Sequence, residues 1–171
     1  MNNTGKPGSK FDEFLNIARS LNQIGITPLL MGSVGLELVT GRDWNAGDLD
    51  IHVPGDEGGW SVAPDKNVYQ WEQIIALMEA IGYVLTDLHE HEFTRDNQTV
   101  EFGIIDTLPS FAGVNISDLE LRDIGGVKFY LPNAEQYLKI YEASAEDSYR
   151  AEQGNNKDNP KIDYLRSLQK G

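Results

Sequence analysis

Two aspartates separated by one residue, Asp48 and Asp50, stand at the start of an apolar run that continues to Val53. In a strand, residues two apart point to the same side of the sheet. Two carboxylates this close disfavour joint ionisation, whereas Mg²⁺ prefers carboxylate oxygens together with substrate phosphates. The pair therefore indicates a divalent-cation site. An Asp-x-Asp pair alone is a weak signal, so this interpretation depends on what surrounds it.

A Gly-Ser turn, Gly32–Ser33, precedes the acidic pair, with Ser33 fifteen positions before Asp48. Glycine permits close approach of the backbone, and the first N–H groups of the following helix attract a phosphate. A serine at this position is also an ordinary helix N-cap. When the turn is considered by itself, the N-cap is the favoured interpretation.

A third acid, Glu101, lies inside the apolar strand predicted over 99–105. If this strand neighbours the Asp48–Asp50 strand, Glu101 converges on the same cation. Asp106 is the rival third carboxylate, although strand alternation places it on the opposite face and at the strand exit. We favour Glu101; the alternative is that it is a solvent-exposed position on an edge strand.

Hydrophobic periodicity predicts the elements that position these residues. Helices are expected over 9–24, 34–40, 68–81, 133–145 and 160–168. Strands are expected over 26–31, 48–53, 83–88, 92–96, 99–105 and 127–131. Residues 107–125 are ambiguous. This order predicts an α+β fold, a small mixed β-sheet covered by helices with a helical C-terminal portion.

Local signals refine this prediction at four places. Asn97–Gln98 is expected to turn the chain between two strands, and Asn133 with Gln136 has the spacing of a capping box. The last helix is expected to bury Ile162, Leu165 and Leu168. Residues 1–8 are expected to be a disordered leader, followed by a single domain over 9–171 with its core in 26–106 and its helical part in 132–171.

The chain has 171 residues, no cysteine and a formal charge of −13, from 14 basic and 27 acidic residues. An acidic field repels a nucleic-acid backbone, so a polymeric nucleic-acid partner is not expected. The same field attracts divalent cations and cationic small molecules. The sequence shows no signal peptide and no apolar run long enough for a membrane span, so we expect a cytoplasmic protein without a membrane partner.

Together these motifs resemble the nucleotidyltransferase superfamily of DNA polymerase beta. That pattern is a hydrophobic strand with Gly-Ser, a short helix, acid-x-acid on the next strand and a third acid on a later strand. Here the parts are 29–33, 48–51 and 100–102, and the resemblance covers roughly residues 26–106. Residues 157–165 look like the final helix of small bacterial members, including lincosamide- and aminoglycoside-type nucleotidyltransferases.

The resemblance implies a nucleotidyltransferase fold and a Mg²⁺-dependent activity. A nucleoside monophosphate would move from a nucleoside triphosphate, such as ATP, to a hydroxyl of a small molecule or protein. The catalytic and metal-binding residues would be Asp48, Asp50 and Glu101, which would hold two Mg²⁺ ions. Glu101 would ligate the second ion or take the proton of the acceptor hydroxyl. The nucleotide-binding residues would be Gly32, Ser33, Arg42 and Lys157.

Other cations and rings are weaker candidates. Lys66, Lys128 and Lys161 could also bind the triphosphate, although a surface lysine is the default interpretation for each of the candidate lysines. His89 and His91 could bind a metal such as zinc, but a solvated strand end is the commoner outcome. His52 is expected on the neighbouring strand face, packed or exposed. Trp60 could stack on a base or an acceptor ring, or anchor its loop.

Two functions from different classes follow. The first is the nucleotidyltransferase. Because the protein's electrostatic field is negative, it favours a cationic acceptor such as an aminoglycoside. The alternative is a non-catalytic module with the same fold, antitoxin-like or regulatory, that binds a partner protein. The sequence has no recognisable pattern that identifies the nucleotide, the acceptor or the oligomeric state.

Overall fold

Residues 8–147 and 158–170 are described by the computed structural model. Their helices are α1 (Gly8–Gln23), α2 (Gly32–Thr40), α3 (Trp71–Ala80), α4 (Leu108–Ala112), α5 (Ala134–Asp147) and α6 (Asn159–Lys170). Their strands are β1 (Leu29–Met31), β2 (Leu49–Val53), β3 (Val84–Asp87), β4 (Glu92–Arg95), β5 (Gln98–Ile104), β6 (Glu120–Ile124) and β7 (Val127–Leu131).

The strands of the described ranges form one seven-stranded sheet in the order β3-β4-β5-β2-β1-β7-β6. The pairs β2–β5 and β1–β7 are parallel, and the other neighbours are antiparallel. Strand β2 therefore lies centrally, with β5 on one side and β1 on the other. The mixed sheet and its helices confirm the predicted α+β fold class.

The two faces of β2 have different surroundings because its sequence alternates. Leu49, Ile51 and Val53 are fully buried in the main core, where α1 and α3 also contribute apolar side chains. Asp50 and His52 occupy the opposite face and are only partly buried. The core side thus fixes the register of β2, and the other side is left for polar side chains.

The connection from β1 to α2 is held by a buried tyrosine. Gly32 has φ +70°, which favours glycine, and it turns the strand directly into the helix. Tyr137 of α5 is fully buried and donates a hydrogen bond from its hydroxyl to Leu30 O at 3.0 Å. A Cβ at Gly35 would collide with that hydroxyl, so Gly35 leaves the space that Tyr137 occupies.

Most predicted elements are present, and the capping box is confirmed. Asn133 N–H donates to Gln136 Oε1 at 2.9 Å, and Gln136 N–H donates to Asn133 Oδ1 at 2.8 Å. The turn predicted at Asn97–Gln98 lies one residue earlier, with Asp96 at φ +52°. An aspartate tolerates this left-handed conformation, because its short side chain can hydrogen-bond locally.

Other boundaries differ from expectation. The first strand is shorter than predicted, Leu29–Met31, and the ambiguous stretch 107–125 contains α4 and β6. Leu168 is 45% exposed rather than buried, because α6 packs on the core through Ile162 and Leu165. Gly8 already belongs to α1, while residues 1–7 lie outside the described part. None of the helices in the described ranges has both the length and the apolar character that a membrane span requires.

Candidate active site

Three carboxylates form a row across adjacent strands on one face of the sheet. Asp50 of β2 is the parallel register partner of Glu101 on β5, and Glu101 is the antiparallel register partner of Glu92 on β4. We call Asp50, Glu101 and Glu92 the carboxylate row. Like charges directly opposite each other destabilise a sheet. Such a row is therefore expected where a proton or a cation reduces the repulsion.

Glu101 is the member most affected by this arrangement. Its pKa is raised to about 7, mainly by burial and then by the negative charges of Asp50, Glu92, Glu90 and Asp48, in that order. Asp48 contributes least, and it lies exposed immediately before β2. Near neutral pH the Glu101 carboxyl is therefore poised to take up or release a proton.

The predicted three-acid site is assembled in part. Glu101 lies beside Asp50, as the sequence predicted, whereas Asp48 stands at the exposed start of the strand. Within 8–147 and 158–170, no three acidic or histidine side chains are grouped as a preformed metal site. The oxygen donors match the preference of Mg²⁺. Binding by all three would need their carboxylates to come closer together.

The Gly-Ser turn lies next to the acids. Met31 pairs with Asp50 across β1 and β2, and a Cβ placed on Gly32 would lie 3.0 Å from the Asp50 Cβ. Gly32 is therefore the residue type that this close approach requires. The first N–H groups of α2 begin at this point, so a phosphate bound there would lie beside Asp50.

Ser33 is engaged by the last helix rather than acting as a helix cap. Met31 occupies the N-cap position of α2, and no side chain caps the helix. Ser33 Oγ accepts a hydrogen bond from Lys161 Nζ at 2.9 Å. Lys161 Nζ also lies 3.5 Å from Asp158 Oδ1 and 5.4 Å from the centre of the Tyr141 ring. A cation from α6 is thus held at the Gly-Ser turn.

The remaining basic candidates are placed differently. The Arg42 guanidinium lies over the rings of Trp44 and Tyr164, at 4.7 Å and 4.4 Å from their centres. Lys128 is exposed on β7, two strands away from β2. Lys157 lies outside the described residues. Among the candidate lysines within 8–147 and 158–170, Lys161 is the one hydrogen-bonded to Ser33.

Asp106, the rival third carboxylate, has a structural partner. It lies in a single turn of 3-10 helix after β5, and its Oδ1 accepts a hydrogen bond from Gly55 N–H at 2.9 Å. This contact ties the end of β5 to the start of the loop that follows β2. Glu101, and not Asp106, is the register partner of Asp50.

A cavity of about 220 Å³ adjoins the carboxylate row. We call it the histidine pocket; its lining includes Asp50, His52, Trp60, His91 and Glu101. The predicted strand face of His52 was wrong, because alternation places this residue on the same face as Asp50. Its Nε2 lies 3.4 Å from Asp50 Oδ1. The two-residue spacing was the signal that could have found it.

The expectation that both His89 and His91 are solvated was right for His89 and wrong for His91. Both lie in the connection between β3 and β4 rather than along a strand. His89 is exposed, whereas His91 is fully buried at φ +53°. The Trp60 ring stacks on both imidazoles, at 5.6 Å and 5.7 Å between ring centres. Nothing in the local pattern distinguishes the two histidines, because burial of His91 depends on the loop that packs over it.

Known proteins resemble this chain in fold and in sequence. No family model matches it. A solved structure of an antigenic nucleotidyltransferase-like protein from Paracoccidioides brasiliensis matches with a TM-score of 0.58 at 16% identity. That match covers 92% of this chain and 75% of the other. It shows that the fold is nucleotidyltransferase-like; the narrower likeness to lincosamide- and aminoglycoside-type enzymes stays a prediction.

A sequence relative covers nearly the whole chain. The uncharacterized protein YnaI of Bacillus subtilis (strain 168) is 40% identical over 159 residues. Those residues are 92% of this chain and 96% of YnaI. The chain therefore belongs to the same family as YnaI, and its described residues have a nucleotidyltransferase-like fold.

Proposed function

We propose that this protein is a Mg²⁺-dependent nucleotidyltransferase that acts on a hydroxyl group. The observation that carries the proposal is the pairing of Asp50 with Glu101 immediately beside the Gly32–Ser33 turn. Carboxylates for a cation and a helix start for a phosphate are the two halves of a nucleoside triphosphate site. The nucleotidyltransferase-like fold supports the same activity.

The proposed reaction breaks a phosphoanhydride bond of the triphosphate and forms a phosphate ester bond to the acceptor. The acceptor oxygen attacks the α-phosphorus of the triphosphate, and the bond from that phosphorus to the oxygen bridging to the β-phosphate breaks. Pyrophosphate leaves with the electron pair, and the acceptor carries the nucleoside monophosphate. The proton of the acceptor hydroxyl goes to the Glu101 carboxylate, which would act as the general base beside the attacking oxygen.

Residues of this chain would bind and orient the substrates. Asp48, Asp50 and Glu101 offer the oxygen donors that would hold Mg²⁺, which when bound would supply charge neutralisation at the triphosphate. The first N–H groups of α2 and the Ser33 hydroxyl would bind the triphosphate tail. Lys161, already 2.9 Å from Ser33 Oγ, would add a positive charge there. Positioning and charge complementarity supply most of such catalysis.

Calorimetry with Mg²⁺ and each of the four ribonucleoside triphosphates tests the binding half. We expect the Asp48→Asn/Asp50→Asn variant to lose Mg²⁺-dependent nucleotide binding. The matched control is Asp12→Asn/Glu79→Gln, which removes the same charge from exposed positions outside the site. Unchanged affinity in the first variant would count against the proposal. Mass spectrometry of acceptor panels then tests for an added nucleoside monophosphate.

The second candidate function is a non-catalytic binding module of the same fold. It is favoured by the exposed position of Asp48 and by the lack, in the described ranges, of a preformed three-ligand group. Purification from the native host distinguishes the two functions. A stable stoichiometric protein partner, together with no nucleotide transfer in any acceptor panel, supports the module and refutes the enzyme.

A further inference from the structure

The described sheet ends in two edge strands, β3 and β6, which differ in how they are protected. An edge strand presents unpaired N–H and C=O groups that can pair with another chain, and proteins often block it with a bulge, a proline or a lysine. Strand β3 has an irregular register between Leu85 and Asp87, and such an irregularity turns an edge away from partners. Strand β6 pairs with β7 without interruption from Glu120 to Ile124 and contains neither proline nor lysine. The edge at β6 is therefore suited to pair with a further strand.

The turn after β6 determines which backbone groups of this strand are free for a partner. Gly125 and Gly126, at φ +59° and +88°, form a two-residue turn that closes the hairpin at Ile124. In such a hairpin the residues flanking the turn form a hydrogen-bonded pair, and hydrogen-bonded and non-hydrogen-bonded pairs alternate from there. The backbone N–H and C=O groups of Leu121 and Asp123 therefore point away from β7.

The side chains of β6 are accessible and carry opposite charges. Leu121 is 53% exposed. The side chains of Glu120 and Arg122 are 59% and 42% exposed, and Arg122 Nη2 lies 3.3 Å from Glu120 Oε1. These two residues share one face of the sheet, and Leu121 lies on the other. A second strand laid along β6 would meet an apolar side chain on one face and an ion pair on the other.

The charge pattern of β6 favours one register for pairing with a second copy of itself. A twofold axis normal to the sheet brings two β6 strands together antiparallel, and every contact is then made twice. When the axis passes through Leu121, each Glu120 lies opposite Arg122 of the second copy. When the axis passes through Arg122 or Asp123, that residue lies opposite its own copy, and like charges directly opposite each other are destabilising.

We propose that β6 is the interface of a homodimer in which two copies of this chain join their sheets edge to edge, with Leu121 at the twofold axis. The two Leu121 side chains meet on one face of the joined sheet. On the other face, Glu120 and Arg122 of both copies form a square of alternating charges. The inference is independent of the proposed nucleotidyl transfer, because β1 and β7 separate β6 from β2 and its aspartates.

The proposed dimer is reversible rather than permanent. An edge of five residues is expected to bury less surface than the roughly 800 Å² per partner of a standard interface. The formal charge of −13 on each copy also opposes association. Salt at about 0.15 M screens this long-range repulsion, because the Debye length is then about 8 Å.

Sedimentation velocity at about 0.15 M salt, over a range of protein concentrations, measures the dimer. We expect the wild type to show a concentration-dependent equilibrium between monomer and dimer. Glu120→Arg and Arg122→Glu each create two pairs of like charges across the axis, so each should raise the dimer Kd at least about tenfold. The controls are Glu79→Arg and Lys66→Glu, which change the net charge equally at exposed positions on α3 and in the loop after β2. They should leave the Kd within about threefold of wild type.

Mixing the two β6 variants separates a defined interface from damage to the fold. Glu120→Arg carries arginine at both positions and Arg122→Glu carries glutamate at both, so a heterodimer again places opposite charges opposite each other. We expect the mixture, and the double variant Glu120→Arg/Arg122→Glu alone, to recover the dimer to within about threefold of the wild-type Kd. Circular dichroism checks that each variant folds. A wild type that is monomeric at every concentration, a dimer that the controls weaken as much, or a mixture that stays monomeric overturns the inference.

Discussion

Asp50 and Glu101 face each other directly across the parallel strands β2 and β5. Glu92 faces Glu101 from the other side, so Glu101 has a carboxylate neighbour on both adjoining strands. This placement raises the pKa of Glu101 to about 7, with burial as the largest cause. The repulsion between these carboxylates makes stability depend on pH, and this dependence can be measured without knowing the substrate.

We expect the metal-free protein to lose stability as the pH rises. Glu101 has a folded-state pKa of about 7 and an ordinary value of 4.5, so the folded state holds its proton more tightly than the unfolded state. Its contribution is fully present below about pH 4.5 and is lost as the pH passes 7. Denaturant unfolding in EDTA between pH 4.5 and 8 measures this loss.

Glu101→Gln should remove much of that pH dependence. At pH 8 we expect the variant to be about 1–2 kcal/mol more stable than the wild type, a figure reduced for partial exposure of the side chain. At pH 4.5 the two should be alike. Glu79→Gln, at an exposed position on α3, is the control. Parallel pH profiles for Glu101→Gln and the wild type would refute this assignment.

Asp106 should matter for stability and not for the nucleotide. Asp106→Ala leaves Gly55 N–H without its acceptor, which should lower the free energy of unfolding by about 1–2 kcal/mol. Mg²⁺-nucleotide affinity should stay within about twofold of wild type, whereas Glu101→Ala should reduce it about tenfold. Calorimetry on both variants decides between the two carboxylates; the opposite ranking would exchange their roles.

Much of the site's framework could be predicted because it depends on local patterns. The spacing of Asp48 and Asp50 and the apolar run after them are short-range features, and they identified the central strand. Gly32 could be predicted in the same way, because the turn has a positive φ at this position. The neighbouring position of Glu101 followed from the resemblance to a known fold, because pairing between distant strands is not written in either strand alone.

The features that the sequence did not reveal depend on packing between distant segments. Lys161 donates a hydrogen bond to Ser33 and forms an ion pair with Asp158. The hydrogen bond requires α6 to cross the Gly-Ser turn. Burial of His91 requires the loop after β2 to fold over it, with Pro64 O as its partner. In both cases a polar residue acquires its role from a contact more than 25 positions away in the chain.

Lys161 should contribute to nucleotide binding through its charge at Ser33. Lys161→Met keeps the length of the side chain but removes the cation, so Mg²⁺-nucleotide affinity should fall about tenfold, as expected for one charge-assisted contact with a phosphate. Lys128→Met, on the exposed face of β7, should leave the affinity unchanged. Equal effects of the two variants would mean that only the net charge of the protein matters.

The position of His52 depends on the absence of a side chain at Gly103. The two residues are register partners, and a Cβ on Gly103 would overlap the His52 imidazole. Gly103→Ala should therefore push the ring away from Asp50 and lower the free energy of unfolding by about 1–3 kcal/mol. It should also reduce the proposed nucleotidyl transfer about tenfold. Gly47→Ala is the control, because a Cβ there would meet no atom within 4 Å.

A double variant tests whether the imidazole is the cause of this effect. In a His52→Ala background the overlap no longer exists, so adding Gly103→Ala should cost less than about 0.5 kcal/mol further. Thermal and denaturant unfolding of the wild type, both single variants and the double variant give this coupling directly. Additive losses would show that alanine at position 103 disturbs the β2–β5 backbone pairing, and that His52 is not held in place by the missing side chain.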